Sequence, residues 1–170
     1  MNVITLKKYQ CISIWQALFK AGGFPCGYRT IESLRLEKGY LAWGGEINTE
    51  NNPFEAGLGF AISKKKNHFY GASSLQKLKD AKRKLVAITF DDIRQVPIGS
   101  EPIKFGEKVI GRIKSGGQGY TLNKAIGYAY IPIEHSVPGT ELEVEFFGKW
   151  ISGIVCATPL YDPMGIKIKS

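Results

Sequence analysis

Histidine is scarce in this chain: His68 and His135 are the only two in 170 residues. His68 stands in a lysine-rich turn and His135 in a loop before Ser136-Val137-Pro138, neither at metal-ligand spacing, so both read as structural or solvated and no metal is expected. The three cysteines, Cys11, Cys26 and Cys156, are scattered and odd in number. They make neither a disulfide framework nor a metal motif, which fits reduced, structural thiols and a cytoplasmic setting. No run reaches the roughly 18 apolar residues of a membrane span. The N-terminus lacks the order of charge, apolar core and small-residue cleavage site that marks a signal peptide. There is no Gly-x-Ser-x-Gly elbow and no phosphate-loop lysine in a glycine frame. Ser115-Gly116-Gly117-Gln118-Gly119 is glycine-rich, but it leads into no dinucleotide helix and reads as a barrel turn. Asp91 and Asp92 are adjacent in a strand end and point to opposite faces, so they do not act on one substrate together. The sequence offers no catalytic residue.

Acid is also in deficit. Fifteen Asp and Glu against 23 Lys and Arg leave a formal charge of +8. Such a balance favours anionic partners. The charge gathers in Lys64-Lys65-Lys66 and between Lys77 and Lys84, where a solvated face is the plain reading. Aromatics do not interleave with these clusters, so nucleic acid is not the expected partner.

Hydrophobic residues make up 44% and aromatics 12% of the chain, enough for a real core. Met1–Gln10 alternates like a strand. Cys11–Ala21 carries a helical stripe of Cys11, Ile14, Trp15, Leu18 and Phe19. The stretch from Tyr28 to Ile47 organises the rest of the chain. Thr30 is a candidate N-cap, Ile31 and Leu34 share a helix face, and Gly39 is a good stop. Arg35 and Glu37, set between leucines, read as a structural pair in a polar network, because buried charges are costly unless paired. Tyr40 and Trp43 come next, beside a glycine pair. Phe54–Ile62 reads as a turn ending in a strand, Lys64–His68 as a turn, and Ser73 or Ser74 as the cap of a helix running to about Lys82.

Near Lys84 the texture changes. Leu85–Asp91, Pro102–Phe105, Lys108–Lys114, Ala125–Ile131, Glu141–Phe147 and Lys149–Cys156 are six short β-like runs, most of them separated by Gly or Pro turns. Glu141, Glu143 and Glu145 alternate with Leu142, Val144 and Phe146, one face wet and one buried. Phe147-Gly148-Lys149 is short enough for a hairpin turn. Six such antiparallel strands bend into a small barrel or sandwich, which removes exposed edges.

Several unusual blocks recur together. Ser33-Leu-Arg-Leu-Glu-Lys-Gly-Tyr-Leu-Ala-Trp-Gly44 is followed by Asn52-Pro-Phe-Glu-Ala-Gly-Leu58, Ser115-Gly-Gly117, Leu122-Asn-Lys-Ala-Ile-Gly-Tyr-Ala129, Pro138-Gly-Thr140 and Pro159-Leu-Tyr-Asp-Pro163. In this order, over roughly residues 10–165, they resemble the aminomethyltransferase (glycine-cleavage T-protein) family, and in particular the version fused to dimethylglycine and sarcosine dehydrogenases. The resemblance implies an α+β fold, with a helix-rich partial folate-binding domain over 1–84 and then a small six-stranded antiparallel β-barrel over 85–170.

The resemblance also implies one-carbon transfer to tetrahydrofolate, as in glycine-betaine-type amine catabolism. The aspartate essential to that chemistry lies in the family's N-terminal half and has no counterpart here, which implies inactivity of this chain alone. The alternative is a non-catalytic interaction or folate-binding subunit, as a homo-oligomer or paired with a separate N-terminal half. Tyr40 matches the aromatic that lines the folate pocket. Tyr161 matches a C-terminal aromatic, and Trp43 suits the same flat ring. The aminomethyltransferases proper carry a folate-binding arginine where this chain has Ile31. A polyglutamylated folate would suit the positive surface.

Overall fold

The computed structural model describes residues 7–63, 65, 66 and 68–169. Two compact units divide between Ile31 and Glu32. In the first, Lys8–Gln10 forms one 3-10 turn, not the end of the expected strand, whose residues 1–6 lie outside the described set. Helix α1, Cys11–Lys20, confirms the helical stripe, and its Trp15, Leu18 and Phe19 are exposed.

Helix α2, Tyr28–Lys38, starts before Thr30, which is therefore inside the helix and not its cap. Its last two turns, from Glu32 on, belong to the second unit. It ends at Gly39, as the sequence predicts. Gly39 has φ +72°, its N–H donates to Leu36 O, and the N–H of Tyr40 donates to Arg35 O, a Schellman stop.

Phe54–Ile62 ends in a 3-10 turn at Gly59–Ala61 and forms no strand. Helix α3 covers only Ala72–Gln76, capped by left-handed Gly71 and by neither serine. Leu78 is exposed, so the lysine-rich continuation has no apolar anchor to extend a helix too short to stand by propensity.

The rest is a closed antiparallel barrel of β1 (Arg83–Phe90), β2 (Pro102–Phe105), β3 (Lys108–Gly119), β4 (Lys124–Pro132), β5 (Glu141–Phe146) and β6 (Lys149–Cys156). Around the barrel the order is β1-β4-β3-β2-β5-β6, and β6 returns to β1. Val86, Ile88 and Phe90 of β1, with Ile113, Val144 and Val155, fill the interior. Leu142 and Val144 point in while the intervening glutamates point out, as their alternation requires. The β5–β6 hairpin turns at Phe147 and Gly148, both at positive φ. A short helix, α4 (Ile166–Lys169), closes the described chain. Among the described residues no helix is long and apolar enough to cross a membrane.

Strand β3 is longer than its apolar run because it takes in the glycine segment that reads as a turn. Its register against β4 shifts between Ile113 and Ser115, leaving Lys114 as an extra residue. Such a bulge reverses the in-out alternation. Ile113 faces the core opposite Ala129, while Ser115 pairs with Tyr128 and Gly117 with Ile126 on the outer face.

Candidate functional site: a clamped aromatic turn

The outer face turned out by the bulge is where the second part of α2 docks. Glycine leaves room for it: a Cβ on Gly117 would lie 2.5 Å from Leu36 Cδ1. A strand stripped of side chains presents backbone polar groups, so the helix face with partners is polar. Ser33, Leu36 and Glu37 are buried, whereas Ile31 and Leu34, which share the helix face expected from spacing, are exposed. The Ser33 hydroxyl donates to Gln118 O. Glu37 Oε1 accepts from the backbone N–H groups of Thr121 (2.7 Å) and Leu122 (3.2 Å) in the β3–β4 turn. From β4, the Tyr128 hydroxyl donates to Leu36 O at 2.9 Å. Burial raises the Tyr128 pKa, with the Glu46 charge adding to it, so this hydroxyl stays protonated.

The expected Arg35–Glu37 pair does not form. Successive charges on a helix diverge, and each finds its own partner. Arg35 pairs with Glu32 at 2.6 Å and with Glu46 at 2.8 Å. Burial opposes its charge, but hydrogen bonds and charge from the two glutamates outweigh that, and its pKa is raised.

Glu46 holds the turn in place, and sequence reasoning misses it. It is 0% exposed and reaches three elements at once. Oε2 accepts from the N–H of Ala42 at 2.8 Å, and Oε1 accepts from Arg35 and from the Ser115 hydroxyl. Arg35 also donates to Tyr40 O at 3.2 Å. The segment Tyr40–Trp43 is thus tied at two points, Tyr40 by Arg35 and Ala42 by Glu46. The only sequence cue to Glu46 is its acid type after a glycine pair, since its partner Ser115 is 69 residues away.

The turn carries Tyr40 and Trp43 outward, 57% and 70% exposed. Neither side chain is packed in this chain's core. Leu41 between them packs on the outer barrel cluster with Leu36 and Tyr128. Tyr161 comes to the same helix end: its N–H donates to Glu37 O at 2.9 Å. The Lys167 ammonium lies 5.0 Å from its ring centroid. Lys38 Nζ donates to Asp162 Oδ2 at 2.8 Å. His135 stacks on Phe105 with ring centroids 4.3 Å apart, and no group of three or more His, Cys, Asp or Glu that could hold a metal ion occurs among the described residues.

The hydrogen bond from Lys38 holds the Asp162 carboxyl below its ordinary pKa of 3.8. A lowered folded-state value means that the pair stabilises the fold fully above about pH 4 and ceases to as pH falls through the lowered value. The melting-temperature gap between the native chain and Asp162→Asn should therefore hold from pH 7 to 5 and shrink as pH falls below the ordinary 3.8. A gap independent of pH would remove Asp162 as its source.

The chain resembles known proteins. A family model described as the glycine cleavage T-protein C-terminal barrel domain matches residues 83–162, and one described as the GCVT N-terminal domain matches residues 4–66. The chain belongs to the glycine-cleavage T-protein family. An aminomethyltransferase of Symbiobacterium thermophilum is 39% identical over 165 residues, 93% of this chain and 44% of that protein. Mitochondrial dimethylglycine dehydrogenase of Rattus norvegicus is 40% identical over 139 residues, 79% of this chain and 16% of that one. The crystal structure of the glycine cleavage system aminomethyltransferase T from Bartonella henselae superposes with a TM-score of 0.71 at 31% identity, covering 77% of this chain and 38% of that one. The chain thus spans less than half the length of these T-protein relatives.

The blocks that carry the family resemblance are largely the parts of one joint. Ser33–Gly44 is the docking helix and aromatic turn, and Ser115–Gly117 is the strand beneath. Leu122–Ala129 contributes Tyr128, and Pro159–Pro163 contributes Tyr161 and Asp162. In Asn52–Leu58, Asn52 Oδ1 accepts from the N–H groups of Phe54 and Glu55, and Glu55 O accepts from Leu85 near the start of β1.

Proposed function

We propose that this segment supplies one aromatic wall of a tetrahydrofolate site, in a system that passes a one-carbon unit from an amine to the folate. In this reading residues 1–84 belong to the folate-binding region and 85–170 form the barrel. Tyr40 and Trp43 offer flat faces to the pteridine, with Tyr161 beside the same helix end. The observation that carries the reading is two large aromatics held out in solvent on a turn clamped by a buried charge network. Exposing such side chains costs stability, and clamping them removes the entropy that binding would otherwise lose. The net positive charge favours the anionic tail of a folate.

The same geometry supports binding without turnover by this chain. Proton transfer needs a carboxylate free to reach the substrate. The carboxylates around the turn are committed: Glu32 and Glu46 to Arg35, Glu37 to two backbone N–H groups, and Asp162 to Lys38.

Calorimetry with tetrahydrofolate tests the reading. Weak binding is expected, and Tyr40→Ala should weaken it about tenfold, or ~1.4 kcal/mol, with an unchanged melting temperature because Tyr40 packs in no core. No one-carbon transfer should be detectable in the same solutions. Equal affinity of the variant would sink the aromatic wall, and robust transfer would sink the argument from committed carboxylates.

A further inference from the structure

A second polar cluster lies on the barrel's outer face, across β1, β4 and β3. Tyr130 is the direct cross-strand neighbour of Leu85 on one side and of Arg112 on the other. Paired residues point to the same face, so these three side chains meet. Arg83 and Lys114, with Val109 and Ile110, complete a groove of about 390 Å³. Lys114 is the residue that the bulge leaves without a partner in β4.

Tyr130 is the anomaly. It is 5% exposed, and its hydroxyl is buried without a hydrogen-bond partner. Buried polar groups ordinarily find partners, and one that does not asks for an unseen group. Burial, with the Glu55 charge adding to it, pushes the Tyr130 pKa up to about 12, so what is unmet is a donor. The neighbours are donors too. The Arg83 guanidinium lies 5.1 Å from the Tyr130 ring centroid, and its charge is met by Glu55 at 3.1 Å. Arg112 uses Nη1 on Ser100 O at 2.9 Å and keeps its remaining N–H groups. The Lys114 ammonium makes no hydrogen bond or ion pair to the described residues. Of the two carboxylates whose charge reaches Tyr130, Glu55 is spent on Arg83 and Glu46 on Arg35, the N–H of Ala42 and the Ser115 hydroxyl.

We propose that this groove binds a small oxyanion, a carboxylate or phosphate group, held by the Tyr130 hydroxyl, Arg112 and Lys114. A group that only accepts hydrogen bonds complements a site whose uncommitted side chains, Tyr130, Arg112 and Lys114, can all donate. Binding includes a shift of the Arg83 side chain, which lies over the ring and is 43% exposed, to open the hydroxyl. The proposal does not rest on the folate reading, since it calls on neither Tyr40, Trp43 nor Tyr161.

Thermal melts of the full chain test it, with inorganic phosphate, with succinate, and with potassium chloride at matched ionic strength. At least one oxyanion should raise the melting temperature saturably and beyond the chloride control, and which one does so identifies the group. Tyr130→Phe changes no charge and breaks no protein hydrogen bond. It should melt as the native chain does without ligand and bind the oxyanion at least fivefold more weakly. Lys114→Gln should weaken binding by a similar factor, whereas Lys149→Gln, the same charge change elsewhere, should not. If Tyr130→Phe fails to fold, the two lysine variants decide. A response that tracks ionic strength alone, that survives Tyr130→Phe, or that falls equally in both lysine variants overturns the proposal.

Discussion

Replacing Glu46 by alanine should destabilise the chain by about 3–5 kcal/mol, the range for breaking a buried ion pair from one side. The carboxylate is fully buried and serves Arg35, the N–H of Ala42 and the Ser115 hydroxyl together. Its removal leaves a donor unmet on each of three elements, and Arg35 keeps only Glu32 as a charge partner. Glu46→Gln retains acceptor capacity but loses the charge, so it should fall between alanine and the native chain. Urea denaturation measures both. The order matters as much as the size: a loss below about 1 kcal/mol for alanine, or glutamine as damaging as alanine, would mean that the network is not what holds the turn.

The second large effect is expected at Gly117. An added Cβ would sit 2.5 Å from Leu36 Cδ1, and Leu36 is buried with little room to turn away. Overpacking of this kind costs about 1–3 kcal/mol. Lifting α2 off β3 would also stretch the bond from Ser33 to Gln118. The double-mutant cycle is the stricter check. Leu36→Ala alone should cost about 2–5 kcal/mol through the cavity it leaves. On that background Gly117→Ala should cost almost nothing, because the methyl it would strike is gone. Additive losses would show that the two residues do not share the contact.

Both predictions concern a joint whose two halves are visible in the sequence while the joint itself is not. The Schellman stop at Gly39 is legible because it is local: a glycine after a helical run needs no distant partner. The buried face of α2 is illegible for the opposite reason. Apolar spacing puts Ile31 and Leu34 on one helix face, yet the surface that meets the helix is a glycine strand with its backbone groups uncovered. Against such a surface Ser33 and Glu37 are the residues with something to bond. The glycine run reads as a turn for the same cause, since small residues mark both chain reversal and close approach. Choosing between them needs to know what lies above the strand. Likewise, proximity in sequence offers Arg35 a partner two residues away at Glu37, whereas its partners are Glu32 on the same helix and Glu46 beyond the turn.

By itself the sequence determined that the second half is mostly β, its six strands and the inward side of β5, because alternation and turn residues act over a few positions. It also carried the family, through short blocks kept in order. Only the tertiary structure decided the strand order, the bulge at Lys114 that turns Ser115 and Gly117 outward, the three-way role of Glu46, the outward display of Tyr40 and Trp43, and the unmet hydroxyl of Tyr130. Each of these depends on residues brought together from far apart in the chain, and no local period records which distant surface a side chain will meet.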